Sequence, residues 1–189
     1  RFAPGQKIPG RCIWASSHDR GLHHALELWP AIRAEHPHAE FHIFYDLEGI
    51  QKFAAMGPTD VPFLLELQRR SIYEVEMMKR LRGHGVVLRG PVSREAMAAE
   101  MARAEVLLYA TSTVRYTETF GCTVLEAMAS ECVPVIVYAD AFQELWASRG
   151  VPGVATPFEE HAVEYEQWVL EVLEHPAPYL TEMLTHTST

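Results

Sequence analysis

Cysteine is scarce in this chain, and the few present are not spaced for cross-linking. Cys12, Cys122 and Cys132 are odd in number and form no CxxC pair. Cys12 and Cys132 adjoin apolar, strand-like runs and read as reduced core thiols, which fits a reducing compartment. No apolar run approaches the roughly 18 residues of a membrane-crossing helix. Arg1-Phe2-Ala3-Pro4-Gly5 is not followed by an apolar stretch, so it does not read as a secretory signal. There is no initiator Met, and the start reads as the interior of a longer chain. No HExxH and no Cys/His cluster occurs, so a structural zinc site is not expected. Gly83-His84-Gly85 precedes a strand-like run, the reverse of the order a dinucleotide fingerprint requires. Lys and Arg number 16 against 25 Asp and Glu, a net charge of −9, which argues against non-specific nucleic-acid binding. A local cationic pocket remains compatible with that charge. Internal repeats and low-complexity segments are also missing.

What is present suits one soluble domain: 189 residues, 48% hydrophobic and 22% charged. Short apolar runs alternate with helical periodicity. Strands are expected at 11–15, 41–45, 85–90, 105–109 and 133–138, with a sixth at 154–155. Residues 20–36 carry Leu22, Ala25, Leu26, Trp29 and Ile32 at helical spacing, with Pro30 as a local fault expected to kink the helix. Further helices are expected over 47–57, 61–81, 94–104 with Ser93 as N-cap, 142–148, and 159–174. Glu74, Glu76, Glu159 and Glu160 read as solvated faces. Alternation of strand and helix predicts a parallel sheet covered on both faces, with ligands beyond the C-terminal strand ends. The turns at 16–20, 90–93 and 110–121 all fall at such ends.

The chain is organised around Thr117-Glu118-Thr119-Phe120-Gly121-Cys122-Thr123-Val124-Leu125-Glu126-Ala127-Met128-Ala129. On one continuous helix, Glu118 and Glu126 would stand about 12 Å apart and about 80° apart around the axis. That is poor geometry for sharing a proton but suits gripping opposite ends of a long polar ligand. Alternatively, Gly121 lets a loop turn into a helix near Cys122, whose free N–H groups would face an anion between the carboxylates.

The Glu-x7-Glu pattern, as E-T-F-G-C-T-V-L-E-A-M-A-S followed by V-P-V-I-V, resembles the donor-site motif of retaining GT-B glycosyltransferases of the group 1 family. The resemblance covers about residues 11–150. It implies a Rossmann-like α/β parallel sheet flanked by helices, one half of a GT-B architecture. It also implies transfer of a sugar from a UDP- or GDP-sugar donor, with no cofactor and no essential metal; no DxD motif is present. By the same resemblance Glu126 meets the ribose hydroxyls and Glu118 the donor sugar near the reacting carbon. Thr119, Phe120, Gly121 and Cys122 supply backbone N–H groups, with Thr123 helping from the helix start. Ser16-Ser17-His18-Asp19-Arg20-Gly21 matches the turn that contacts the donor diphosphate, so Arg20 is expected to neutralise the leaving group, a role that suits a guanidinium. Family members often carry a second basic residue where this chain has Ala15. Either that contact is missing, or Arg11, Arg115 or a hydroxyl of Ser16 or Ser17 replaces it. Residues 88–93, through the backbone at Gly90 and Val92, resemble the segment that meets the base.

Two prolines and two glycines mark residues 1–10 as a linker, a nucleotide-sugar-binding domain is expected over 11–175, and a Pro-interrupted tail over 176–189. Only donor-half pieces are recognisable, so an acceptor glycan or lipid is expected to be bound by a missing N-terminal domain. A cytoplasmic location is expected. The other reading is a regulatory nucleotide-binding α/β module needing a partner domain. A phosphorylase would need a pyridoxal lysine, and Lys7, Lys52 and Lys79 lie in no suitable helix entry. His23 and His24 are expected to face different directions, and His18 is a possible donor contact only through its place beside Arg20. Cys122 reads as small enough to pack beneath a ligand.

Overall fold

Among the described residues the apolar runs form six strands: β1 (Arg11–Trp14), β2 (Glu40–Ile43), β3 (Val86–Leu88), β4 (Val106–Tyr109), β5 (Val133–Val137) and β6 (Gly153–Val154). The computed structural model describes residues 6–112 and 119–186. All strands pair in parallel in the order β3-β2-β1-β4-β5-β6. Cys12 lies opposite Phe41 on one side and Val106 on the other. Every residue of β1, β4 and β5 is buried, which explains why these strands read as continuous apolar runs. Pro134 sits inside β5 without breaking it. Ile136 and Tyr138, at the same parity, donate toward the β6 side, to Pro152 O and Val154 O. Pairing with β6 begins only at Ile136, so the N–H that Pro134 lacks would have had no strand to meet.

Among the described residues eight α-helices cover the sheet: α1 (Leu22–Glu35), α2 (Leu47–Ala54), α3 (Pro62–Arg80), α4 (Arg94–Arg103), α5 (Cys122–Ala129), α6 (Phe142–Leu145), α7 (Phe158–Glu174) and α8 (Pro176–His186). The expected cap forms, Ser93 Oγ accepting from Ala96 N, and Asp46 caps α2 in the same way by accepting from Gly49 N. Pro62 occupies the first turn of α3, where its missing N–H costs nothing. α1 buries Leu22, Ala25, Leu26, Trp29 and Ile32 and runs on through Pro30, which lies on the exposed side. α1 packs against α3 and α7, while α4, α5 and α8 form a second contacting set. The segment read as a Pro-interrupted tail opens a further helix at Pro176, a residue suited to a helix first turn.

Before β1 the chain is tied down. Lys7 Nζ donates to Ala104 O and Ser130 O, and Gly10 N to Glu105 Oε2. Cys12 and Cys132 are buried free thiols, both pushed up by burial, Cys132 to about 12.

One expectation for the surface is corrected. Glu76, Glu159 and Glu160 are exposed, but Glu74 is wholly buried. The buried stripe of α3 runs Gln68, Ser71, Glu74, Met78, at three- and four-residue spacing, and Glu74 falls on it.

Candidate functional site

The strand order reverses direction between β1 and β4, and in open parallel sheets that switch point is where ligands bind, beyond the C-terminal strand ends. Three segments leave the sheet there.

After β1 the chain makes a one-turn 3-10 helix, His18–Arg20, closed by Gly21 at φ 113°. A Cβ on Gly21 would stand 2.0 Å from Ala110 O, so only glycine lets this turn lie against the end of β4. Ser112 N donates to Arg20 O at 2.9 Å and binds the two loops together. The hydroxyls expected to meet a phosphate have partners: Ser16 Oγ lies 3.1 Å from the Tyr109 hydroxyl, and Ser17 Oγ donates to the Tyr45 hydroxyl at 3.2 Å. Arg11 does not stand in for the basic residue missing at Ala15. It opens β1, at the N-terminal strand end opposite the site, and pairs with Glu40 and Glu100 at 3.5 Å each. Arg115 lies outside the described residues.

After β3, Arg89 N donates to Ile43 O, extending the sheet pairing by one residue. Gly90 follows at φ 72° with nothing near its Cβ position, and Val92 is 41% exposed. Ser93 then caps α4.

The third segment settles the alternatives for the central motif. Gly121 takes the left-handed conformation (φ 71°, ψ 57°) as N-cap and α5 begins at Cys122, so no single helix runs from residue 118 to Glu126. Glu118 itself lies outside the described residues. Val124 N and Leu125 N both donate to Gly121 O, which leaves the N–H groups of Cys122 and Thr123 pointing off the helix start. Thr119 and Phe120 are exposed, with the Phe120 ring 6.2 Å from Trp146, and Cys122 is exposed rather than packed beneath anything described. Glu126, one helical turn on, pairs with Arg94 Nη2 at 3.2 Å. That pair ties the first turn of α4 to Glu126.

So the fold brings Ser16, Arg20 and Gly21 against the end of β4, sets Ser17 on Tyr45, and pairs Glu126 with Arg94 at the start of α4. The sequence reading missed what lies beneath. Glu74 Oε2 lies 2.7 Å from His18 Nδ1, and Arg70 Nη1 donates to Ser112 O at 3.0 Å. Burial pushes the Glu74 carboxyl up, against the opposing hydrogen bond from His18. His23 and His24 do not diverge: their rings lie 4.0 Å apart, and His24 also stacks on Phe158 at 4.1 Å. Among the described residues no three His, Cys, Asp or Glu side chains converge to hold a metal ion.

A parallel six-stranded sheet covered by helices, whose strand order reverses between β1 and β4, is a Rossmann-like α/β fold. Residues 10–175 match the glycosyl transferases group 1 family, and the chain belongs to that family. No curated protein matches it in sequence. Among solved structures it is similar to the pneumococcal O-GlcNAc transferase GtfA in complex with UDP and GlcNAc, at 15% identity and a TM-score of 0.60 over 97% of this chain and 34% of that one. It is also similar to a UDP-forming α,α-trehalose-phosphate synthase from Burkholderia xenovorans, with a TM-score of 0.68 and 15% identity over 97% and 40%. A sucrose-phosphate synthase from Thermosynechococcus elongatus gives 0.61 and 16% over 96% and 43%. The chain therefore spans between a third and less than half of the length of each. No helix among the described residues is long and apolar enough to cross a membrane.

Proposed function

We propose that this chain is the donor-binding half of a retaining glycosyltransferase, which transfers a sugar from a nucleoside-diphosphate sugar to an acceptor held by another domain. The observation that carries the reading is the left-handed Gly121 at the start of α5, which turns two backbone N–H groups outward with Glu126 one turn along the same helix. Under this reading Glu126 accepts from the ribose hydroxyls and the backbone around Gly90 and Val92 meets the base. Ser16, Ser17, Arg20 and the N–H groups of residues 119–123 surround the diphosphate and the sugar. Glu118 approaches the sugar near its reacting carbon.

Retaining transfer passes through an oxocarbenium-like state, with negative charge growing on the departing diphosphate. A guanidinium at Arg20 and the helix start at Cys122 both stabilise that leaving group, which is why neither a metal nor a cofactor is required by the proposal. UDP, named with the pneumococcal enzyme, and GDP are the donors to test. The acceptor side, in this reading, comes from a domain outside the chain, and the protein works in the cytoplasm.

A thermal-shift screen with UDP, GDP, ADP and their common sugar conjugates tests it. At about 100 times Kd a ligand stabilises by roughly 2.7 kcal/mol, several degrees for a domain of this size. One nucleotide should stand out, and Glu126→Ala and Arg20→Ala should each abolish its effect. A screen flat for every nucleotide would instead support a regulatory module whose site is not functional.

A further inference from the structure

The α3 helix, outside every segment that the donor reading uses, sends two polar side chains to the underside of the site. Arg70 holds Ser112, in the loop that also takes Arg20 O, and Glu74 holds His18, the first residue of the turn that carries Arg20. Glu74 is wholly buried; His18 takes Oε2, and beyond the nearby His23 backbone N–H its carboxyl has no well-formed second partner among the described residues, with Oε1 3.9 Å from His23 Nδ1. A half-satisfied buried carboxyl costs stability, and an apolar residue of similar size would serve α3 better. Buried carboxyls with raised titration cluster at functional sites. Here the partner is well defined. His18 is itself buried, its ring lies 5.5 Å from Tyr45, and its carbonyl accepts from Gly21 N, closing the turn.

We infer that Glu74 is a positioning residue of the donor site: through the His18 imidazole it fixes the 18–21 turn, and so the place at which Arg20 meets the donor's diphosphate. This rests on the donor reading above. Accepting from Nδ1–H selects one imidazole orientation and tautomer, and a fixed ring fixes the backbone on which Arg20 is mounted. Glu74 itself touches no reacting atom.

The effect should therefore appear in the phosphate part of the affinity and nowhere else. Calorimetric titration of the 189-residue chain with UDP and uridine, and with GDP and guanosine, separates the two. Glu74→Gln keeps the size and an acceptor oxygen but removes the charge. It should weaken diphosphate binding about tenfold, the scale of a lost charged hydrogen bond, and leave nucleoside binding unchanged. His18→Asn should do the same, and the double variant should be no worse than His18→Asn alone, because Glu74 acts only through His18. A purely structural role would lower the melting temperature without changing the ratio of diphosphate to nucleoside affinity. If Glu74→Gln does not fold, the wild type still decides: the ring nitrogen resonances of His18 should move on adding the nucleoside diphosphate and not on adding the nucleoside. Undiminished diphosphate affinity in Glu74→Gln, additive losses in the double variant, or unmoved His18 resonances would overturn this proposal alone. A wild type that binds neither UDP nor GDP overturns the donor reading and this proposal with it.

Discussion

A Cβ on Gly121 would stand 2.6 Å from Cζ of Phe142 and 2.7 Å from its Cε1. Phe142 is fully buried at the start of α6, and its ring lies 6.0 Å from that of Tyr109. The glycine of the central motif is thus fixed twice, by its left-handed backbone and by a core aromatic from a different part of the chain. Gly121→Ala should destabilise the fold by about 1–3 kcal/mol, through backbone strain and overpacking together. Phe142→Ala should cost about 3–5 kcal/mol by opening a cavity. Urea midpoints check both, and an unchanged midpoint for Gly121→Ala would remove the argument for this contact.

Gly21 is the more demanding position. Its Cβ would meet Ala110 O at 2.0 Å and Ser112 N at 2.8 Å, both backbone atoms that cannot swing away as a side chain can. Gly21→Ala should therefore be more destabilising than Gly121→Ala. Gly57, with no neighbour within 4 Å, provides the control. There the same substitution should be neutral or stabilise by up to about 1 kcal/mol through the unfolded state. Thermal melts of the three variants give the order directly.

Glu126 separates stability from binding. Its partner Arg94 is 83% exposed, and exposed ion pairs contribute about 0–1 kcal/mol. Glu126→Ala and Arg94→Ala should both leave the melting temperature nearly unchanged. Only Glu126→Ala should weaken nucleotide binding, about tenfold or more, as expected when a charged acceptor of ribose hydroxyls is lost. Equal nucleotide affinity in Glu126→Ala and wild type would count against the ribose role.

Much of this architecture is legible in the sequence because each strand is buried on both faces. Runs such as Val133-Pro134-Val135-Ile136-Val137 and Val106-Leu107-Leu108-Tyr109 admit no solvated alternative, and their spacing sets the parallel topology. The helix start at Cys122 is legible because Gly121 adopts a left-handed backbone that other residues reach only with strain. Polar burial is harder to read. Glu74 looks like Glu76 two positions away, and only the α3 stripe through Gln68, Ser71 and Met78 distinguishes them. That stripe is itself half polar, so hydrophobic spacing gives a weak signal. His23 and His24 are adjacent in sequence, and helical geometry alone would spread them. Phe158, from a helix more than a hundred residues later, stacks on His24 beside the His23 ring. Long-range contacts of this kind leave no local trace.

Those two histidines predict a pH dependence. Burial is the main cause holding His23 down to about 2 and His24 to about 4, from an ordinary 6.5. Neighbouring positive charge adds to this: His24, Arg70 and His18 for His23, and Arg70 for His24, with Glu159 opposing. Both rings are therefore neutral in the folded protein at pH 5, while in the unfolded chain they are protonated below about pH 6.5. The unfolded state binds more protons in that window, so stability must fall as pH drops through it. At pH 5 the loss is on the order of 2 kcal/mol per histidine relative to pH 7.5. Glu74 has the opposite sign, because burial raises its carboxyl and favours its protonated form as pH falls, and it offsets part of the loss. His24 has carboxylates within reach, Glu159 at 3.7 Å and Glu27 at 4.0 Å, so it regains its proton first as pH falls further toward 4. Urea denaturation at pH 7.5 and pH 5 should show a lower midpoint at pH 5 with an unchanged slope against urea. His24→Leu should weaken that dependence on pH. A wild-type midpoint that does not fall between these pH values would mean the histidines are solvated and charged in the folded protein, contrary to their packing against Phe158 and α3.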